Sequence, residues 1–325
     1  MAELLNFVLL FAVIGLAAVA SLGEKRPGWR AAAYAGVAMV GLGAVGLALV
    51  YLLLAAMQRM APQTLSPDLA RTLAALRPLR VGLGLLAGGF VSWLVLLPPV
   101  RRAVAHVLPI RPESVVNAMA LSLLVLLWAQ SVGLSGLGPQ GFLDLSGPLS
   151  TAQVVLGEVP LAILGMVAVG LFTRRTPAET WERLGLTGLS RRQVALSVAG
   201  AAALVAFEVG FNWVAGRLAP GAFDELNRAT NALYGNVNNV AAAAAIAVAS
   251  GVAEEILFRG ALQPRLGLVP TALSFGVMHL QYGVTWALLS VGLIGLVLGI
   301  YRQRVNTSAC IVVHALYNLA IFLLP

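Results

Sequence analysis

Long apolar stretches separated by short polar turns run along almost the whole chain of 325 residues. A helix needs about 20 mainly apolar residues to cross a bilayer, because each residue adds about 1.5 Å of length. Stretches that approach or exceed this length lie at 4–22, 31–57, 81–100, 114–136, 153–173, 193–216, 238–263, 267–282, 284–301 and 305–324. The pattern predicts an all-α fold, a polytopic transmembrane helical bundle of about ten spans.

Composition agrees with a membrane protein and argues against nucleic acid as a partner. Only 10% of the residues are charged and the mean hydropathy is +0.89, whereas soluble domains carry about 25% charged residues. The net charge of +8 would suggest nucleic acid binding in a soluble chain, but here the basic residues lie in short turns between apolar stretches. We therefore expect the lipid bilayer as the surrounding partner and no nucleic acid.

The distribution of Lys and Arg predicts the orientation. Basic residues concentrate in the turns after the first, third, fifth, seventh and ninth stretches, which the positive-inside rule places in the cytoplasm. The exception, 58–80, contains Ser66 as a helix cap and Pro67 at the first helical position, so we predict an interfacial helix near 66–78. The prediction is a multi-pass protein of the plasma (cell) membrane with both termini outside.

Three charged residues interrupt the seventh stretch, at Glu254, Glu255 and Arg259. A charge at the centre of a spanning helix costs roughly 2.5–3.5 kcal/mol if it faces lipid, so these side chains must face protein or water. Glu255 and Arg259 are four apart, which favours an ion pair. Glu254 is rotated by about 100° from Glu255, so we expect it to be the carboxylate without a cation.

Two later stretches carry further polar groups at a similar depth. His279 lies in the eighth stretch, and His314 and Asn318 share one helical face in the tenth. Counted from the flanking arginines, Glu254 lies about 16 Å deep and His314 about 15 Å deep. Counted from a helix start near Gly267 to Pro270, His279 lies about 13–18 Å deep. We therefore expect these four side chains to meet at one level of the membrane.

The chemistry of this set leaves several readings open. Glu254 and a histidine can activate a water molecule while the other histidine and an amide stabilise an oxyanion, which makes a hydrolase. Alternatively, Glu254, His279 and His314 are of the types that ligate Zn²⁺. A non-catalytic immunity or scaffold protein would use the same groups for helix packing. A proton-relay transporter using Glu208 and Glu254 lacks support, because no inverted repeat is visible.

Other polar positions have plainer expected roles. Glu208 and Asn212 are one turn apart and favour a hydrogen-bonding pair, with a substrate path as the alternative. We expect a solvated or capping role for Glu158, near an end of the fifth stretch, and a solvated side chain for His106. Cys310, the only cysteine, excludes an internal disulfide. A small buried residue is its expected role, although a Cys/His dyad with His314 is conceivable.

Three segments resemble the motifs of the CPBP family, which includes the type II CAAX prenyl endopeptidases and the bacterial Abi and bacteriocin-processing proteins. Glu254-Glu255-Ile256-Leu257-Phe258-Arg259 resembles EExxxR, Phe275-Gly276-Val277-Met278-His279 resembles FxxxH, and His314-Ala315-Leu316-Tyr317-Asn318 resembles HxxxN. Each motif alone is weak, but three in order on separate apolar stretches are specific. The segment 180–190 also resembles the cytoplasmic segment that often precedes this core.

The resemblance implies an intramembrane endopeptidase that acts on a peptide or protein substrate without a cofactor. It implies Glu254 as general base with His279, oxyanion stabilisation by His314 and Asn318, and supporting roles for Glu255 and Arg259. Zn²⁺ bound by Glu254, His279 and His314 stays the alternative. The predicted catalytic core covers 150–325, and the spans within 1–149 lie outside the motifs and have no predicted role.

Overall fold

The computed structural model describes residues 2–237, 239–279 and 282–324, and the described residues form helices and no strands. The helices are α1 Ala2–Gly23, α2 Pro27–Met60, α3 Pro67–Leu76, α4 Pro78–Leu96, α5 Pro98–Ala105, α6 Val115–Leu134, α7 Gly138–Ser146, α8 Thr151–Val169, α9 Pro177–Leu184, α10 Arg191–Leu218, α11 Pro220–Leu233, α12 Val240–Glu255, α13 Gln263–Leu266, α14 Leu268–Val277, α15 Trp286–Arg304 and α16 Thr307–Leu323. A short 3₁₀ turn covers Pro62–Thr64, and a π-helical segment, Ile256–Leu262, joins α12 to α13. The predicted all-helical architecture is confirmed.

The chain is a multi-pass membrane protein, although the predicted count of ten spans is not confirmed. Among the described residues, seven helices are long and apolar enough to cross a membrane, counting α12 to α13 as one. Shorter apolar helices account for the other three predicted spans, within α1 and at α14 and α16. With its ten residues α14 is about 15 Å long, roughly half the thickness of the hydrocarbon core, so it does not cross alone.

The predicted helix near 66–78 is present as α3. The Ser66 hydroxyl accepts a hydrogen bond from the Leu69 amide, and Pro67 occupies the first turn, as expected. Leu73 is buried while Leu69 is 40% exposed. The helix is therefore amphipathic, and its place at the membrane surface stays a prediction.

The amino-terminal helices pack directly on the carboxy-terminal half. Helices α2, α4 and α6 pack side by side, and α1 contacts α2, α6 and α8. Small residues permit the close approach: a Cβ added at Gly84 would meet the Ala129 carbonyl oxygen at 2.7 Å. One hydrophobic cluster contains side chains of α1, α2, α6 and α8, including Val37 and Met119. The first four spans thus form one packed body with the helices that carry the motifs.

One end of the carboxy-terminal half, which we call the arginine end, is formed by α9, the residues that follow it and the turn between α15 and α16. Leu184, the last residue of α9, is fully buried against the π-helical segment. The Thr307 amide donates to the Gly185 carbonyl at 3.1 Å, and Asn306 donates to the Thr187 hydroxyl at 2.9 Å. The segment 180–190 therefore holds the start of α16 in place.

The opposite end, which we call the cavity end, is formed by α7, α11, the turn at 282–285 and Ile321–Leu324. The Leu149 amide, just before α8, donates to the Leu233 carbonyl at the end of α11, at 2.8 Å. The Asn239 side chain caps α12 by accepting from the Ala242 amide. At this end the helices separate around a cavity instead of being held together.

Candidate active site

Glu255 is the fully buried member of the glutamate pair and is held from two sides. Its Oε2 lies 3.2 Å from Arg259 Nε, which confirms the predicted ion pair. Its Oε1 accepts a hydrogen bond of 2.9 Å from His314 Nδ1. Arg259, also fully buried, donates in addition to the Gly295 carbonyl on α15 at 3.2 Å. The ion pair thus joins three helices, and its contact with His314 was not expected from the sequence.

The π-helical segment begins directly after Glu255. Such wide turns are rare and often occur at functional sites. Its backbone lies against α8 at Gly165, where an added Cβ would meet Ile256 Cγ2 at 2.9 Å and Leu257 Cα at 3.1 Å. No spacing pattern in the sequence predicts this segment. All residues from Ile256 to Arg259 within it are buried.

Glu254 is 9% exposed and lies near His279, as predicted. The shortest distance, from Glu254 Oε2 to His279 Nε2, is 3.9 Å, which is too long for a direct hydrogen bond. His279 Nδ1 lies 2.8 Å from the Phe275 carbonyl oxygen. Because a carbonyl only accepts, Nδ1 carries the proton, and in the neutral ring Nε2 is the acceptor that faces Glu254.

Phe275 packs between the two histidines and the buried cation. Its ring centroid lies 4.9 Å from that of His279 and 5.9 Å from that of His314. The Arg259 guanidinium lies 4.4 Å from the same centroid, and the Phe258 ring packs edge-on against it. One aromatic side chain therefore contacts members of all three motifs.

Asn318 is oriented by a serine on α12. Its Nδ2 donates to Ser250 Oγ at 2.9 Å, and Ser250 in turn donates to the Ile246 carbonyl at 2.9 Å. The helices approach closely here, since a Cβ added at Gly251 would meet the Ala315 amide nitrogen at 3.0 Å. The close packing brings the HxxxN face of α16 onto the same wall as Glu254.

A cavity of about 540 Å³ brings the predicted site residues together. Glu254, His279, His314 and Asn318 all line it, as the matched depths predicted. Glu255 and Arg259 lie behind this wall and support it. The lining continues to Asn231, Gly235 and Leu324, which are exposed at the cavity end.

The cavity opens at the end of the carboxy-terminal half opposite the arginine end. It reaches the surface between α11 and the last turn of α16. The reason is packing: Leu184 and Thr307 are fully buried and close the arginine end, whereas the lining residues Asn231, Gly235 and Leu324 are exposed at the other end.

Glu158 lines the cavity, although the sequence did not predict a place for it there. A solvated or capping role was expected, and this was wrong: Glu158 lines the cavity, about 10 Å along α8 from its first residue. Its Oε2 is buried and has no hydrogen-bond partner among the described residues. The available signal was a carboxylate inside an apolar stretch, the same signal that identified Glu254.

The remaining polar positions agree with their plainer roles. Glu208 Oε1 accepts from Asn212 at 3.2 Å and from Ser290 at 3.4 Å, and Glu208 does not line the cavity. Cys310 is fully buried, with its thiol directed at the Leu298 carbonyl, so it forms no dyad with His314. His106 is exposed.

The residues named as alternative zinc ligands do not fit a metal site as they stand. Among the described residues, no three His, Cys, Asp or Glu side chains are grouped so that they could hold a metal ion. Glu254 and His279 approach each other, but His314 donates to Glu255 instead of turning toward them.

Comparison with known proteins identifies the segment that carries these residues. Residues 236–320 match the family model described as Type II CAAX prenyl endopeptidase Rce1-like, which confirms the resemblance noted from the motifs. Neither a search of curated proteins nor a search of solved structures found a match. The matched segment contains every predicted site residue, from Glu254 to Asn318.

Proposed function

We propose, from the premise that residues 236–320 belong to this protease family, that the chain is an intramembrane endopeptidase using Glu254 to activate water. The observation that carries the proposal is the geometry around one cavity. A carboxylate without a cation and the acceptor nitrogen of His279 lie 3.9 Å apart on its wall. A single water molecule fits between two acceptors at such a separation.

In the proposed reaction, Glu254 and His279 Nε2 each accept one hydrogen of the attacking water. As the water oxygen bonds to the carbonyl carbon of the substrate, its proton passes to the Glu254 carboxylate. The tetrahedral intermediate carries its negative charge on the former carbonyl oxygen. When it collapses, Glu254 returns the proton to the leaving amine and the peptide bond breaks.

The oxyanion would be stabilised from α16. Asn318 uses one amide hydrogen on Ser250 and keeps the other for the substrate oxygen. His314 donates Nδ1–H to Glu255, which leaves Nε2 for the substrate. As an imidazolium, His314 donates from Nε2 as well, and the Glu255 carboxylate compensates that charge. Arg259 keeps Glu255 ionised and in place, so both act as positioning residues.

We propose that the enzyme works without a metal. The support is that the described residues contain no grouped set of three ligands and that Glu255 already occupies His314 Nδ1. Metal analysis of purified, active protein tests this. Stoichiometric Zn²⁺ whose removal abolishes cleavage would contradict the metal-free mechanism and favour ligation by Glu254, His279 and His314.

We further propose that the protein lies in the cell membrane with both termini outside, as the basic turns predict. In that orientation the cavity end faces away from the cytoplasm, so substrates would enter from the outer side. Labelling of Asn231→Cys, an exposed lining position, with a membrane-impermeant thiol reagent on whole cells tests this. Cys310 is buried and gives little background.

The decisive test is Glu254→Gln, which keeps the shape of the side chain and removes the base. We expect a loss of about 10²- to 10⁴-fold in the rate of peptide cleavage by purified protein, the contribution of a positioned general base. Glu225→Gln, on the exposed face of α11 and outside the cavity, is the matched control and should keep full activity. Full activity of Glu254→Gln would overturn the proposal. Retained cellular function without any cleavage would favour a non-catalytic scaffold.

A further inference from the structure

Glu158 on α8 is a buried carboxylate that the proposed reaction does not use. Two other acidic groups have partners: Glu255 has Arg259 and His314, and Glu24 accepts from the Ser114 hydroxyl and a backbone amide. Glu254 Oε2 is buried without a hydrogen-bond partner among the described residues, but the proposed reaction uses it as the base. Glu158 Oε2 is buried without a hydrogen-bond partner among the described residues. An ionised carboxylate in this state is costly, so a group that supplies a positive charge would stabilise it.

The cavity that Glu158 lines is acidic. Its lining includes two carboxylates, Glu158 and Glu254, and no Lys or Arg among the described residues. Arg259, a buried cation beside the site, is paired with Glu255 behind the wall. A guanidinium or ammonium partner for Glu158 must therefore come from a molecule that enters the cavity.

The aromatic residues of the lining also suit a cationic group on an apolar side chain. Aromatic side chains surround the space, contributed by Tyr234, Tyr282, Tyr317 and Phe322. Aromatic faces attract ammonium and guanidinium groups, and the apolar part of a Lys or Arg side chain packs well against rings. A carboxylate combined with aromatic walls thus favours a basic side chain over a neutral or acidic one.

We propose that Glu158 is a specificity-determining residue that binds a lysine or arginine side chain of the substrate close to the bond that is cleaved. The inference rests on the proposed function, because it takes the cavity as the substrate site. Glu158 lines the cavity from α8, a helix that carries none of the three motifs. In this proposal it selects the substrate and takes no part in the bond change.

The test uses fluorogenic peptides that are identical except for one residue beside the cleavage site, either lysine or its uncharged analogue norleucine. Full-length protein in nanodiscs is assayed as wild type, Glu158→Gln and Glu158→Lys, with Glu225→Gln as the matched control. For the wild type we expect kcat/KM at least about tenfold higher for the lysine peptide, a difference carried mainly by KM. Glu158→Gln should lose this preference and keep kcat for norleucine, while Glu158→Lys should favour a glutamate peptide.

Equilibrium binding of the same peptides, measured by fluorescence anisotropy, separates this inference from the proposed function. Preferential, Glu158-dependent binding of the lysine peptide without cleavage would support the inference and contradict the proposed hydrolase function. Cleavage by the wild type without preference for lysine would overturn the inference and would still support the proposed hydrolase function. A Glu158→Gln variant that lowers kcat equally for all peptides would also overturn it, since Glu158 would then share a proton with Glu254 instead of selecting substrates.

Discussion

The same long helices, α12 and α16, run between the two ends of the carboxy-terminal half, but the two ends differ in packing. At the arginine end, Leu184 and Thr307 are fully buried, and the π-helical segment has no exposed residue from Ile256 to Ala261. At the cavity end, the same α12 and α16 separate around about 540 Å³ of space. The arginine end fixes the angle between α12 and α16. At the cavity end, that angle keeps the polar side chains apart, around the space for a substrate.

The comparison implies a division between residues for stability and residues for activity. Changes at the closed end should alter the free energy of unfolding, whereas changes on the cavity wall, such as Glu254→Gln and Glu158→Gln, should alter kinetics. Three further substitutions test the stability side, from the largest expected effect to the smallest.

Arg259→Met should have the largest effect on stability. It removes the cation from a fully buried Glu255 and leaves that carboxylate with His314 alone. Loss of one partner of a buried ion pair typically costs about 3–5 kcal/mol. Thermal unfolding in detergent measures the change, and Arg228→Met, on the exposed face of α11, should have little effect. A small shift of the unfolding midpoint for Arg259→Met would mean that the pair does not hold the helices together.

Gly260→Ala should have an intermediate effect at the closed end. Its Cβ would lie 2.8 Å from Leu184 Cδ2 and 3.2 Å from the Leu184 carbonyl oxygen, so α9 must shift. Overpacking of this kind costs about 1–3 kcal/mol. Gly221→Ala is the matched control at the cavity end, because nothing lies within 4 Å of its added Cβ. Equal unfolding midpoints for the two variants would contradict the proposed difference in packing between the arginine end and the cavity end.

Glu24→Gln should have the smallest effect and a characteristic pH dependence. Burial alone would raise the pKa of Glu24, but hydrogen bonds from the Ser114 hydroxyl and the Val116 amide, together with Arg174 and Arg111, lower that pKa below its ordinary value. A lowered folded-state pKa stabilises the protein above the unfolded-state pKa of about 4.3, and this contribution is lost as the pH falls through the folded-state pKa.

The variant should therefore be less stable than the wild type at pH 7, by a few tenths to about 1 kcal/mol for a group this close to solvent. The gap should close in strongly acidic solution. Denaturation curves at several pH values measure it. A gap that widens on acidification would contradict the assigned direction of the shift.

Much of the site could be predicted from the sequence because helical spacing is local. The four-residue separation predicted that Glu255 pairs with Arg259 and that Glu254 has no cation. Residue counts from the flanking arginines for Glu254 and His314, and from the predicted helix start for His279, placed these three side chains at a similar depth. The contact between Glu255 and His314 could not be predicted in the same way. It depends on how α16 is rotated about its axis, and an apolar helix buried on several sides does not reveal that rotation.

Glu158 was missed for a related physical reason. The sequence placed the fifth stretch at 153–173, which puts Glu158 five residues from its start. The helix α8 begins two residues earlier, at Thr151, and ends four residues earlier, at Val169, so Glu158 lies nearer its middle. The π-helical segment was also missed, because hydrogen bonds between residues five apart leave no periodic signal in a short apolar run.

Phe275 gives the site a mechanical property. Its ring contacts both imidazoles, and its backbone oxygen holds one of them. A small inhibitor that tilts either histidine must therefore displace this ring and disturb the other histidine together with the guanidinium beneath it. Compounds that leave the Phe275 ring in place and bind beside the aromatic lining residues Tyr234 and Phe322 avoid that cost. This part of the cavity is therefore the better target for selective ligands.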